Sequence, residues 1–364
     1  LDAVRQGEAC FKAVRGDYGT GKTFFGRWVQ ERARSRGFAT SEVQVNETET
    51  PLHRLETIYR RVVEHLGNQD TPTGAFRSVI DGWFYALEQD VLADSNEAAL
   101  LERSVQLMEA RLTEISQVAP AFSAALRAYR MALAKNDHAT AEGLISWLSG
   151  QPNVAASVKR VAGIKGDIDH FAASNFLAGL LAILKDSGYS GLLIVLDEVE
   201  TLQRMRADTR EKGLNALRQW IDEIDAGRFS GLYLVVTGTP SFFDGAQGVQ
   251  RLPPLAQRLH VDFTGDPRFD NPRAPQVRLS AFQRPQLIEV GRKVREIYCS
   301  HCTNFGRIIE RVDDNYVKTL ADAVAGSLGG KVGIAPRIFL KKLVAEVLDK
   351  VDLIEDFEPR HHYR

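Results

Sequence analysis

Apolar and polar positions change period several times along the chain. Ala9 to Val14 reads as a short strand, followed by a Gly-rich turn and then by an apolar helix from Thr23 to about Arg34. A second strand, Ser41 to Asn46, leads into a helix around Leu52 to Leu66 with apolar residues at helical spacing. The alternation of strand and helix then stops. From about Asp70 to Val161 the chain is rich in Ala, Leu, Glu and Arg without a convincing strand, as in Glu97 to Glu114 and Ala121 to Ala134. The rhythm resumes with a helix from Phe171 to Lys185, a strand Leu192 to Leu196, a helix through Arg210 to Ile224 and a strand Leu232 to Val236. A further strand, Gln276 to Leu279, follows a loop rich in Pro, Gly and Asp, and only helices remain: Pro285 to Tyr298, Asn315 to Ser327 and Pro336 to Val351. The pattern predicts an α/β fold with a parallel sheet. Its core would comprise 1–69 and 161–283, with a helical insertion at 70–160, a helical lid at 284–352 and a tail at 353–364.

Composition narrows this picture. With 364 residues and 44% hydrophobic content, the chain can build one substantial core and a smaller unit. Lys and Arg number 46 against 47 Asp and Glu, so no global charge favours nucleic acid or a membrane surface, and any DNA contact would be a local patch. Arg204, Arg206, Arg210 and Lys212, and Arg292, Lys293, Arg295, Lys341 and Lys342, form basic groups interleaved with acids, the pattern of solvated helix faces. Three cysteines cannot staple a chain this long, which points to a reducing compartment such as the cytoplasm. No apolar run approaches the roughly 20 residues of a membrane span, and no secretory signal precedes the first strand. Residue 1 is Leu rather than Met and the first motif starts only fifteen residues later, so an upstream segment is expected, one that bears on the adenine pocket. Cys299-Ser300-His301-Cys302 has metal-ligand spacing, but no second pair accompanies it; His361 and His362 would complete a zinc site only if the tail folded back, and ordinary thiols are the preferred reading. Trp28, Trp83, Trp147 and Trp220 fall in apolar helices and read as core.

The sharpest chemical signal is Gly16-Asp17-Tyr18-Gly19-Thr20-Gly21-Lys22-Thr23, a complete P-loop pattern between a strand and a helix. Its glycines let successive backbone N–H groups curl around phosphates, and the helix N-terminus adds partial positive charge. Lys22 would reach the β and γ phosphates of ATP and Thr23 would place its hydroxyl on Mg²⁺, with Phe24 closing the nucleotide-contacting stretch. The competing reading is a Gly-rich turn that merely redirects the chain. Leu192 to Leu196 followed by Asp197-Glu198 has the form of a Walker B strand, a continuous apolar run suited to a buried parallel strand and ending in two acids. Asp197 would serve the magnesium shell and Glu198 would polarise the attacking water. Thr237, at the end of the Leu232 to Val236 strand, is a candidate γ-phosphate sensor or a plain turn hydroxyl. Asn46 could restrain Glu198 from the end of the second strand.

These motifs, with Leu255-Ala256-Gln257-Arg258-Leu259 and Gly333-Ile334-Ala335-Pro336-Arg337, occur in an order that resembles AAA+ ATPases, most closely the Orc/Cdc6-like branch. The resemblance implies that Arg258 is a finger offered to a neighbour's ATP, hence a homo-oligomer, and that Arg337 is the sensor 2 arginine. A departure is that no room follows the lid for a winged-helix DNA-binding domain. Gly188-Tyr189-Ser190-Gly191-Leu192-Leu193 leading into Asp197-Glu198-Val199-Glu200, taken with the P-loop phrase, is similar to BrxD-type ATP-binding proteins of BREX phage-defence systems. That likeness implies an ATPase working with other defence-system proteins. A nucleotide-gated scaffold with little turnover and a small-molecule kinase are the rival classes; a GTPase is disfavoured because no Asn-Lys-x-Asp segment is present.

Overall fold

The computed structural model describes residues 1–94, 100–327 and 336–363. It carries five strands: β1 (Cys10–Arg15), β2 (Ala39–Gln44), β3 (Leu192–Asp197), β4 (Leu232–Gly238) and β5 (Gln276–Arg278). They form one parallel sheet in the order β2-β3-β4-β1-β5. β3 pairs with β2 from Ala39 opposite Leu192 to Gln44 opposite Asp197, and with β4 from Leu192 opposite Leu232 onward. Every residue of β3 is buried, which explains its unbroken run of Leu, Ile and Val: a central parallel strand is covered on both faces.

The chain forms two compact units. The first comprises Leu1–Val14, Thr23–Asp262 and Pro272–Val277; the second comprises Arg15–Lys22, Phe263–Asn271 and Arg278–Arg364. In the first unit one continuous apolar cluster runs from the sheet (Ala39, Val43, Ile194, Val236) through helix Leu55–Glu64 and helix His170–Asp186 into the helices between 76 and 148. Trp83 and Phe122 are buried there, and Trp147 packs its ring 5.3 Å from Phe176. Asp186, at the end of the helix that feeds β3, accepts hydrogen bonds from Trp83 Nε1 at 2.7 Å and from Arg111. Polar as well as apolar contacts therefore tie the middle helices to the helix that precedes β3. In the second unit, Leu287, Ile308, Val317, Phe339, Leu343 and Val347 belong to a core of their own. Asp352 is buried there and accepts from the backbone N–H of Thr303 at 3.1 Å and of Asn304 at 2.6 Å.

Several expectations need correction. β2 ends at Gln44, two residues before the predicted end, because Asn46 starts a turn: its Oδ1 accepts from the N–H groups of Thr48, Glu49 and Thr50. Trp28 is 45% exposed, whereas Trp83, Trp147 and Trp220 are buried. In helix Lys22–Arg34 the buried positions are Lys22, Gly26, Gln30 and Ala33. Trp28 lies two residues from Gly26, about 200° around the helix. It packs instead against Phe25, with ring centroids 5.8 Å apart, and under the Arg32 guanidinium. The helix expected from Pro336 to Val351 is interrupted: an α-helix Pro336–Lys341 passes into a π-helical stretch Lys342–Leu348 before α-helix Asp349–Leu353. An additional helix, Phe305–Arg311, was not among the expected elements, although Phe305, Ile308, Ile309 and Val312 stand at helical spacing. No described helix is long and apolar enough to cross a membrane.

Candidate functional site

The Gly-rich turn follows β1 directly. Gly19 and Gly21 adopt φ of +80° and +94°, the left-handed region that costs a side chain about 1–2 kcal/mol. A Cβ on Gly16 would meet Thr20 Oγ1 at 2.5 Å, so close packing reserves that position for glycine. Thr20 folds the turn on itself, its Oγ1 donating to Asp17 O at 2.8 Å. Lys22 is buried inside the turn, its Nζ donating to Gly16 O at 2.9 Å and lying 5.2 Å from the centroid of the Tyr18 ring. Its ammonium is thus folded into the concavity that the pattern reserves for phosphate. The Tyr18 and Phe24 side chains are 65% and 75% exposed, so the nucleotide contact available from Phe24 is its backbone N–H near the helix start.

The second cluster lies at the carboxyl ends of β3 and β4. Asp197 is 5% exposed and its carboxylate accepts three hydrogen bonds. Thr23 Oγ1 donates to its Oδ2 at 2.8 Å; Thr237 Oγ1 and the Glu198 N–H, the latter at 3.1 Å, donate to its Oδ1. Thr237 is fully buried, and its hydroxyl also accepts from the Glu198 N–H at 3.3 Å. The strand order explains this convergence, since β4 lies beside β3 and between it and β1. Thr237 is therefore engaged with the Asp197 carboxylate. The oxygen set of Thr23 and Asp197 suits a hard cation of the magnesium type, which takes one or two protein oxygens and keeps its remaining positions for water and phosphate.

Glu198 is exposed and has φ 62°, ψ 40°, a left-handed conformation uncommon for Glu and one that clusters at functional sites. Its Oε2 accepts from Gln44 Nε2 at 2.8 Å. The register places Gln44 directly opposite Asp197, so the end of β2 holds Glu198 through Gln44, while Asn46 caps its own turn. Sequence reading missed Gln44 because that contact depends on where β2 ends.

The two candidate arginines sit on other elements. Arg258, at the end of helix Pro253–Arg258, donates to Asp222 on helix Ala207–Asp225 and to Pro254 O, and Asp222 is shared with Arg218 at 3.0 Å. Arg337 is exposed in the first turn of Pro336–Lys341 in the second unit, while Gly333, Ile334 and Ala335 lie outside the described residues. Cys302 Sγ lies 3.4 Å from Cys299 O, burial together with the neighbouring Cys302 pushes the Cys299 thiol up, and no group of three metal-binding side chains occurs among the described residues.

Comparison with known proteins fits this geometry. None of the curated proteins matches the chain. The family model described as BREX system ATP-binding protein BrxC/D matches residues 1–364, so the chain belongs to that family and is an ATP-binding component of a phage-defence system.

Proposed function

We propose that this protein is a magnesium-dependent, AAA+-like ATPase whose turnover changes its assembly with other components of the defence system. The observation that carries the reading is the hydrogen-bonded set Thr23–Asp197–Thr237, with Glu198 held beside it by Gln44. In this reading the turn from Gly16 to Lys22 binds the phosphates through backbone N–H groups and the Lys22 ammonium. Thr23 and Asp197 would hold Mg²⁺, which would supply positive charge to offset that of the phosphates. Thr237 keeps Asp197 oriented. Glu198 turns from Gln44 towards the attacking water and accepts its proton as the γ-phosphoryl bond breaks. The chain's charge of −1 leaves any DNA contact to local arginines.

The test separates binding from chemistry. Glu198→Gln keeps size and hydrogen bonding, so calorimetry should give wild-type ATP affinity while phosphate release falls roughly 10² to 10⁴-fold. Wild-type turnover in this variant would remove Glu198 from the role. A second reading, a nucleotide-gated scaffold with little turnover, is favoured by the contacts that occupy Glu198 and Arg258 within the chain. It predicts stable ATP binding with negligible phosphate release in the wild type.

A further inference from the structure

The second unit contains a pocket that the proposed nucleotide chemistry does not use. One face of helix Asp314–Ser327 supplies Tyr316, Thr319 and Ala323, and Lys342, Arg360 and Tyr363 stand around them. The volume is about 540 Å³, inside the roughly 300–1,000 Å³ typical of small-molecule sites. Lys342 opens the π-helical stretch Lys342–Leu348. Such stretches are rare and recur at functional sites, and each rotates the two flanking helical segments relative to one another by about one residue, or ~100°. Here Lys342 borders the pocket while Leu343, Val347 and Leu348 remain in the core.

The charges around the pocket do not cancel. Arg360 pairs with Asp313 at 2.9 Å and Glu358 at 3.9 Å, but Glu358 also serves Arg311 at 3.7 Å, so with Lys342 three cations face these two carboxylates; the Arg360 guanidinium stands 5.9 Å from the Tyr316 ring centroid. Lys342 has no carboxylate within ion-pair distance among the described residues; Glu346, one turn on, pairs with Lys350 at 2.6 Å. The Lys342 ammonium contacts the Tyr363 hydroxyl at 3.1 Å and lies 5.5 Å from that ring's centroid. Burial, reinforced by Tyr363, pushes the Tyr316 hydroxyl up to about 12, so it stays a neutral donor at physiological pH. One surplus cation, two tyrosines and a small apolar floor are complementary to a ligand that joins a flat ring to a negative group.

We propose that this pocket binds an aromatic anion, with the ring against Tyr316 and Ala323 and the anionic group on Lys342. The chemistry is shared by nucleoside monophosphates and by aryl carboxylates, and the experiment distinguishes them. The fluorescent probe 1-anilinonaphthalene-8-sulfonate is titrated into the full chain carrying Lys22→Ala, so that the P-loop does not contribute. A single saturable site is expected, weakened about tenfold or more by Lys342→Ala and blocked by Ala323→Trp. Thr319→Phe serves as a second block, with circular dichroism and melting to show that each variant is folded. Displacement by AMP identifies the nucleotide class, and displacement by indole-3-acetate the aryl carboxylate class. The proposal is overturned if no saturable site is found, if folded Lys342 and blocking variants bind as wild type, or if neither competitor displaces the probe.

Discussion

At the residue scale, Asp197 concentrates three hydrogen bonds on one buried carboxylate, so the groups around it are coupled. Replacing Thr237 by Val keeps the shape but removes the donor to Asp197 and the acceptor for the Glu198 N–H. The buried polar atoms left behind should cost about 1–3 kcal/mol. Urea unfolding should therefore show a lower midpoint at unchanged slope, and the magnesium requirement for ATP binding should rise. A midpoint within error of wild type would mean that water replaces the hydroxyl. Lys22→Ala removes the ammonium from the phosphate turn, and calorimetry should show ATP affinity falling at least tenfold in a folded protein. Gln44→Leu tests the restraint on Glu198: ATP affinity should be retained while turnover changes, and a turnover equal to wild type would show that the bond is incidental.

At the scale of elements, the middle helices are structural partners of the sheet. Trp147 is 3% exposed, donates through Nε1 to Gly166 O at 3.1 Å and packs on Phe176 of the helix that feeds β3. Trp147→Ala should cost roughly 3–5 kcal/mol, a large share of the ~5–15 kcal/mol that a folded protein has. Loss of ATP binding should then track unfolding measured by circular dichroism on warming. If binding falls while the protein stays folded, these helices act on the site directly. For the same reason, deleting the whole of 70–160 should give insoluble protein, since it strips one wall from the continuous core around Phe122 and Phe176. Point substitutions on the exposed faces of these helices are the better probe of partner binding.

At the scale of the whole molecule, the proposed homo-oligomer depends on Arg258, which in the single chain is held by Asp222. If Arg258 completes a neighbour's site on assembly, Arg258→Ala should lower phosphate release while leaving ATP affinity unchanged. Dilution of the wild type should lower its specific activity, and mixing Arg258→Ala with Lys22→Ala chains should recover part of it. Light scattering with and without ATP measures the assembly directly. A monomer with concentration-independent turnover would confine Arg258 to its bond with Asp222, a part-exposed pair worth at most about 1 kcal/mol.

The sequence by itself determined the Gly-rich turn of the P-loop pattern, the buried strand that ends at Asp197 and the parallel α/β character, because each is encoded in contiguous residues. Glycines at Gly16, Gly19 and Gly21 are required by local backbone geometry and close packing, and the unbroken apolar run of Leu192 to Leu196 is required by burial on both faces. Tertiary structure decided which side chains meet. Thr237 bonds Asp197 across forty residues and Gln44 bonds Glu198 across 154, separations at which no local pattern operates. The exposure of Trp28 followed from the packing of Gly26 against Val195, and the π-helical turn at Lys342 came without a Pro or Gly to announce it. Local sequence encodes turns and periods, whereas partner choice depends on strand order and register, and these are fixed only when the whole core assembles.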